Sequence, residues 1–186
     1  MDTLALLFGN ILVQLEQQSD GALREGLDET PMRAAKAWRF WCSGYEQDPA
    51  AVLKVFEDGS DGYDEMVTVH NIPIFSKCEH HLADIFGTAT ISYIPNGKVV
   101  GLSKLARVAD IFARRLQVQE RLTVQIADCL MKHLQPLGVG VQLNCQHMCM
   151  ASRGVQAIGT ITTTTALRGV IKDNPAARTE FLEACK

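Results

Sequence analysis

The chain has no apolar run approaching the roughly 20 residues that cross a bilayer, so no membrane-spanning helix and no membrane partner is expected. Its first helical stretch, with Leu4, Leu6, Leu7, Ile11, Leu12 and Leu15, lacks the basic start and small-residue cleavage site of a signal peptide. A cytoplasmic location is therefore expected. Internal repeats, low-complexity tracts and long linkers are also missing, which excludes solenoids and tail-like interaction segments. Basic residues are not in excess: the formal net charge is −3, whereas non-specific binding to nucleic acid calls for a basic surface. Six cysteines in 186 residues are too few for a disulfide-dense secreted scaffold.

What remains is an ordinary globular composition, 47% hydrophobic and 21% charged, long enough for one domain with a sizeable core and a small helical appendage. The first third reads as helical. One helix is expected from about Asp2 to Gln18, and a second begins with Thr30 as N-cap and Pro31 at the first helical position, stopping near Ser43-Gly44. Asp48-Pro49 opens a short third by the same logic. The period then changes. Strands are expected over about Met66–Ile72 and Ile85–Ile94, the latter ending in a Pro95-Asn96-Gly97 turn. Ser103 can cap a helix to about Arg115, and Val118–Leu134 continues as an amphipathic helix. Two more strands follow, about Val139–Met150 and Gln156–Thr165, and Asn174-Pro175 opens a last helix.

The order β-β-α-α-β-β defines an α+β fold, an antiparallel sheet with both helices on one face, over residues 65–186. A helical region, 1–64, precedes it. In this reading no element is left to cover the sheet's second face. Either that face is solvated, or subunits join their sheets edge to edge into a closed ring, which also removes the exposed edge strands. The ring is the favoured expectation.

Chemistry concentrates in two short segments, Cys78-Glu79-His80-His81 and His147-Met148-Cys149. Thiolate and imidazole are the ligands zinc prefers, and three ligands without a fourth leave a position open for water. Cys145 and Cys149 are four residues apart, roughly 13 Å on a strand. Two sulfurs on one zinc can be at most about 4.6 Å apart, so only one of the two thiols can serve. The bland alternative is that these thiols and imidazoles are core or surface groups. Cys42, Cys129 and Cys185 read as small buried hydrophobes.

Arg33 and Lys36 share one helix face, Lys104 and Arg107 repeat that spacing, and Arg153 follows the second cysteine segment closely. Each pair alone suits a solvated helix face; together they would suit a small polyanion such as a triphosphate. Glu120, at the polar start of a helix, has a carboxylate that can accept from the N1–H and 2-amino donors of a guanine.

The longer motifs resemble the GTP cyclohydrolase I family. The matching stretches run Glu29-Thr30-Pro31-Met32-Arg33-Ala34-Ala35-Lys36, Cys78 to His81, Tyr93 to Arg107, Phe112 to Thr123, and His147 to Met150 with Arg153-Gly154. They are in order and correctly spaced from about Glu25 to the C-terminus. The resemblance implies the tunnelling fold assembled into a multimeric β-barrel, a homodecamer of two pentamers with active sites shared between subunits. It implies zinc on Cys78, His81 and Cys149, and a water delivered to C8 of guanine. It implies proton transfer by His80 and His147, with GTP converted to 7,8-dihydroneopterin triphosphate and formate at the head of tetrahydrofolate biosynthesis. The triphosphate would be held by Arg33, Lys36, Ser103, Lys104, Arg107 and Arg153, the base and sugar by Gln119 and Glu120. Ala83-Asp84 and Ser152 depart from the common pattern, at positions that are not implied ligands. Two rivals are a catalytically silent nucleotide- or pterin-binding relative and an oligomer that uses its metal only for structure.

Overall fold

Two compact units divide the chain, residues 1–43 and 44–186. The computed structural model describes residues 2–16, 22–53, 55–56 and 62–186. Unit one holds helices α1 (Thr3–Leu15) and α2 (Thr30–Trp41). Asp2 caps α1, its Oδ1 accepting from the Leu4 and Ala5 amides at 3.0 and 3.2 Å. The same carboxylate takes both outer nitrogens of Arg39 at 2.6 and 2.7 Å, and Phe8 stacks on Trp38, so the two helices are tied at several points. Residues 17 and 18, the expected end of α1, lie outside the described residues. The N-cap of α2 is Glu29 and not Thr30: Glu29 already has helical backbone angles, its carbonyl accepts the Arg33 amide, and its side chain pairs with the Arg33 guanidinium.

The second unit begins at Gly44, within the 3-10 turn Ser43–Glu46, and the Gly44 amide bonds the Arg114 carbonyl at 3.0 Å. A side chain at Gly44 would meet the Ile111 carbonyl oxygen at 2.0 Å, so only glycine fits. The helix expected from Asp48 is a pair of tight turns: Asp48 Oδ1 accepts the Ala50 amide, and Ala51 and Leu53 each bond three residues back. Strand β1 is Val55–Phe56. Next come β2 (Val67–Cys78), β3 (Asp84–Ile94) and β4 (Val99–Val100), the last paired with β1. Helix α3 (Leu102–Ala113) is capped by Gly101, which leaves Ser103 inside its first turn. After β5 (Leu116–Gln117), α4 (Gln119–Leu134) starts and stops where its pattern predicts.

Strand β6 is Gly138–His147, followed by one helical turn, α5 (Met148–Ala151). The expected strand through Met150 therefore ends three residues early. The next strand, β7, is Thr162–Gly169 and not Gln156–Thr165. Gly154, Gln156 and Gly159 all have positive φ, and the Ala157 amide returns to the Met150 carbonyl, so the segment before Thr162 is a folded loop. Two short helices close the chain, α6 (Val170–Asp173) and α7 (Pro175–Ala184), the latter capped by Asn174 as expected. No helix is long and apolar enough to cross a membrane among the described residues.

The main sheet has five strands in the order β5-β2-β3-β6-β7, antiparallel except that β5 runs parallel to the end of β2. One face carries the core. Ile74, Ile91, Val141 and Leu143 pack there with Leu105 and Val108 of α3 and Leu122, Ile126 and Leu130 of α4. Both helices thus lie on one face, as the β-β-α-α-β-β order requires.

The second face is not without cover. Alternation along β6 puts Gly140 on the side opposite Val139 and Val141, and there it lies under the ring of Phe181 from α7. A Cβ on Gly140 would sit 2.6 Å from that ring. Phe181, Ile171 and Ile94 form a separate small core. The C-terminal helices cover one end of the face, and the rest is mixed: Thr68 bonds Ser92 at 2.8 Å and Thr163 bonds Asn144 at 2.6 Å, while Phe75, exposed, stands opposite Phe86 on the same face. Phe181→Ala should destabilise the subunit by about 3–5 kcal/mol, the usual cost of truncating a buried phenylalanine. Denaturant unfolding would register this as a lower midpoint; a midpoint like that of the parent would mean the second core contributes nothing.

Candidate active site

Strand β2 delivers Cys78 to the sheet's end, where the chain reverses through Leu82, which has φ +56°. The reversal is held by the Cys78 amide on the Ala83 carbonyl and the Leu82 amide on the Cys78 carbonyl, both at 2.8 Å. This turn brings His81 back over Cys78, with Sγ to Nδ1 at 3.6 Å. Cys149 arrives from α5. The ligand atoms of Cys78, His81 and Cys149 all lie within 4.8 Å of one another.

The choice between Cys145 and Cys149 is decided by burial. Cys145 is in the core, 1% exposed, with its thiol pushed up to about 12 by desolvation. Cys149 reaches the cluster because the chain leaves the strand after His147; strand parity would have aimed it alongside Cys145. Burial and the neighbouring Cys78 thiol raise the Cys149 pKa, while the Arg153 charge pulls it down. Two thiols repelling each other's ionisation are what a divalent cation would relieve. A donor set of two sulfurs and one imidazole nitrogen, this close together, fits zinc with one position left open.

His147 ends β6, directly opposite Ile85 in the sheet. Its Nε2 lies 2.7 Å from Gln119 Oε1, and burial lowers its pKa, offset in part by the Glu120 carboxylate. Glu120 itself is exposed in the first turn of α4. Gln119 is 1% exposed, its amide nitrogen surrounded by Leu143 O, Thr162 O and Thr164 Oγ1. His80 is exposed, its ring edge-on to His81 at 6.1 Å and its Nε2 3.7 Å from Glu79, which pairs with Arg121.

A model of the family described as GTP cyclohydrolase I matches residues 8–186. The chain belongs to the GTP cyclohydrolase I family. Among curated relatives, GTP cyclohydrolase 1 of Janthinobacterium sp. (strain Marseille) is 59% identical over 172 residues, covering 92% of this chain and 85% of that protein. The GTP cyclohydrolase 1 of Nitrosospira multiformis is 58% identical over 159 residues, covering 86% and 83%. That of Chlorobium phaeovibrioides is 50% identical over 175 residues, covering 93% and 77%.

Against the resemblance to GTP cyclohydrolase I, one chain brings together only part of the implied site. Cys78, His81, Cys149, His147, Gln119 and Glu120 gather at one end of the sheet, with Arg153 within electrostatic reach. Ser103 and Lys104, in the first turn of α3, do not join them, and Arg107 lies midway along that helix. The start of α3 is fixed beside Tyr93, whose hydroxyl accepts the Val100 amide. Tyr93 lies eight residues along β3 from Ile85, the partner of His147, roughly 26 Å at strand spacing. Arg33 and Lys36 belong to the first unit, on the exposed side of α2.

Residues that the motif reading passed over are Thr123 and Thr164. Thr164 Oγ1 lies 2.6 Å from Thr123 Oγ1, and Thr123 donates to the Gln119 carbonyl at 2.7 Å. The run Thr160 to Thr165 signalled only a strand; alternation within it turns Thr164 toward the core side.

Proposed function

We propose that this protein hydrolyses GTP to 7,8-dihydroneopterin triphosphate and formate, the opening step of tetrahydrofolate biosynthesis, in the cytoplasm. The observation that carries the reading is the Cys78–His81–Cys149 cluster, in a chain belonging to the GTP cyclohydrolase I family. Cys78, His81 and Cys149 would hold zinc, which would supply the Lewis acidity that makes water a nucleophile near neutral pH.

The remaining steps fall to the chain's own groups. His147, held from behind by Gln119, takes and returns a proton as the imidazole ring opens and formate leaves, with His80 as the second proton carrier. Glu120 reads the guanine edge. Arg153 stands beside the cysteine cluster, where a triphosphate oxygen would meet it.

The other anion-binding residues bear on assembly. Ser103 and Lys104, in the first turn of α3, are a strand's length from their own chain's cysteine cluster, so a site using both needs two subunits. This favours a ring of tunnelling-fold subunits, a decamer of two pentamers, with sites at the seams. Residues 65–186 form the catalytic domain in this reading and residues 1–64 a helical region outside it.

Light scattering on the zinc-loaded protein, followed by incubation with GTP and detection of pterin fluorescence after oxidation, tests both parts. A large oligomer that releases formate and a fluorescent pterin is expected. A stable monomer would refute the shared site, and an oligomer leaving GTP intact would refute the activity.

A further inference from the structure

The Gln119 side chain is turned away from solvent and every polar atom on it has a partner. Its nitrogen faces Leu143 O at 3.2 Å, Thr162 O at 2.9 Å and Thr164 Oγ1 at 3.1 Å. Two of these three are carbonyl oxygens, which only accept. The amide cannot be flipped, because its own oxygen would then face them. The oxygen, Oε1, must therefore be the atom 2.7 Å from His147 Nε2.

A carbonyl oxygen has no proton to give, so His147 Nε2 carries the hydrogen. In the neutral ring this leaves Nδ1 as the unprotonated nitrogen. The orientation of the supporting hydroxyls follows by the same accounting. Thr123 spends its one proton on the Gln119 carbonyl. The 2.6 Å contact between Thr123 and Thr164 must then be donated by Thr164, whose oxygen stays free to accept from Gln119. The two hydrogens of the Gln119 amide are shared among three acceptors, and the directions of the Thr164–Thr123 and His147–Gln119 bonds follow from the acceptor-only carbonyls.

Building on the reading of function above, we infer that Gln119 and Thr164 are positioning residues that fix the tautomer and direction of the His147 ring, and that the Gln119 side chain does not touch the substrate. This departs from the role in holding base and sugar that the resemblance assigns to Gln119. A neutral amide suits the task better than a carboxylate would: it orients the ring through Nε2 without placing a charge there, so Nδ1 can both take and release a proton.

The test uses Gln119→Met, close in size but without the amide, and Thr164→Val, close in shape but without the hydroxyl. Thr164→Ser serves as the rescue. With zinc-loaded oligomer, Gln119→Met should lower kcat by about 10–100-fold, as loss of an outer hydrogen-bond partner does. KM for GTP should stay within roughly twofold, the signature of lost chemistry without lost ground-state binding, and zinc per subunit should not change. Thr164→Val should shift kcat in the same direction by less, and Thr164→Ser should restore it. Nitrogen NMR of wild-type protein, with the His147 signals assigned by their loss in His147→Asn, should show the neutral ring protonated at Nε2. In Gln119→Met it should show a mixture of tautomers.

A rise in KM with kcat preserved would mean that Gln119 contacts the substrate and would overturn the inference. So would a wild-type spectrum with the proton on Nδ1. Should Gln119→Met fail to fold, the Thr164 pair and the wild-type spectrum decide the matter. Wild-type protein that leaves GTP intact would remove the functional reading, and the position of the ring proton would still decide whether Gln119 orients His147.

Discussion

Replacing Cys149 by alanine should lower GTP turnover by about 10³-fold or more while leaving a folded oligomer. The size follows from what a bound metal supplies, several kcal/mol of transition-state stabilisation, with each 1.4 kcal/mol worth about tenfold. Folding should survive because Cys149 lies outside the core that holds the subunit. It stands half-buried on the single turn of α5, whereas Ile74, Leu105, Leu122, Ile126 and Leu143 are fully buried between the sheet and its two helices. With three donors on an independently packed scaffold, a bound metal is expected to act as a reagent and not a staple. Circular dichroism, sedimentation, zinc content and turnover measured on one preparation separate the readings. An unfolded monomer would show that zinc holds the fold together; normal turnover would show that Cys149 is not a ligand.

Cys78 and His81 could be paired from sequence because three residues suffice for a turn to return one side chain over the other. Cys149 could not be placed by the same means. Apolar alternation runs through Val139 to Cys145 without a break, and nothing in His147-Met148-Cys149-Met150 announces that the backbone turns helical after His147. The stop depends on α5 and the loop behind it, through the Ala157 amide on Met150.

Helix ends show the same division between local and distant causes. Asp2 and Asn174 cap their helices because an oxygen two or three residues from the waiting amides is a local matter. The covering of Gly140 by Phe181 is not local. It joins positions far apart in the chain, and only the absence of a side chain at Gly140 hints that something packs there. Gln119 carries the sharpest contrast. As a letter it was the polar start of a helix; its function is set by three acceptors contributed by β6 and β7.

Selectivity for guanine should rest on Glu120. Its carboxylate sits in the first turn of α4, next in sequence to the residue that holds His147, and its charge is felt by that ring. It makes no hydrogen bond or ion pair with a described residue, so both oxygens remain available to an incoming base. Guanine offers a matched pair of donors, N1–H and the 2-amino group, whereas adenine has none at those positions. A site built on such hydrogen bonds rejects a mismatched base by roughly 10⁴-fold, since its polar groups are left unpaired. Glu120→Ala should therefore lower kcat/KM for GTP toward that extent, and ITP, which lacks the 2-amino group, should be a poor substrate for the parent enzyme. Zinc content should not change, because Glu120 is not among the three ligands. A Glu120→Ala enzyme that handles GTP like the parent would mean that the exposed carboxylate is an ordinary surface group of α4 and that the base is read by other atoms.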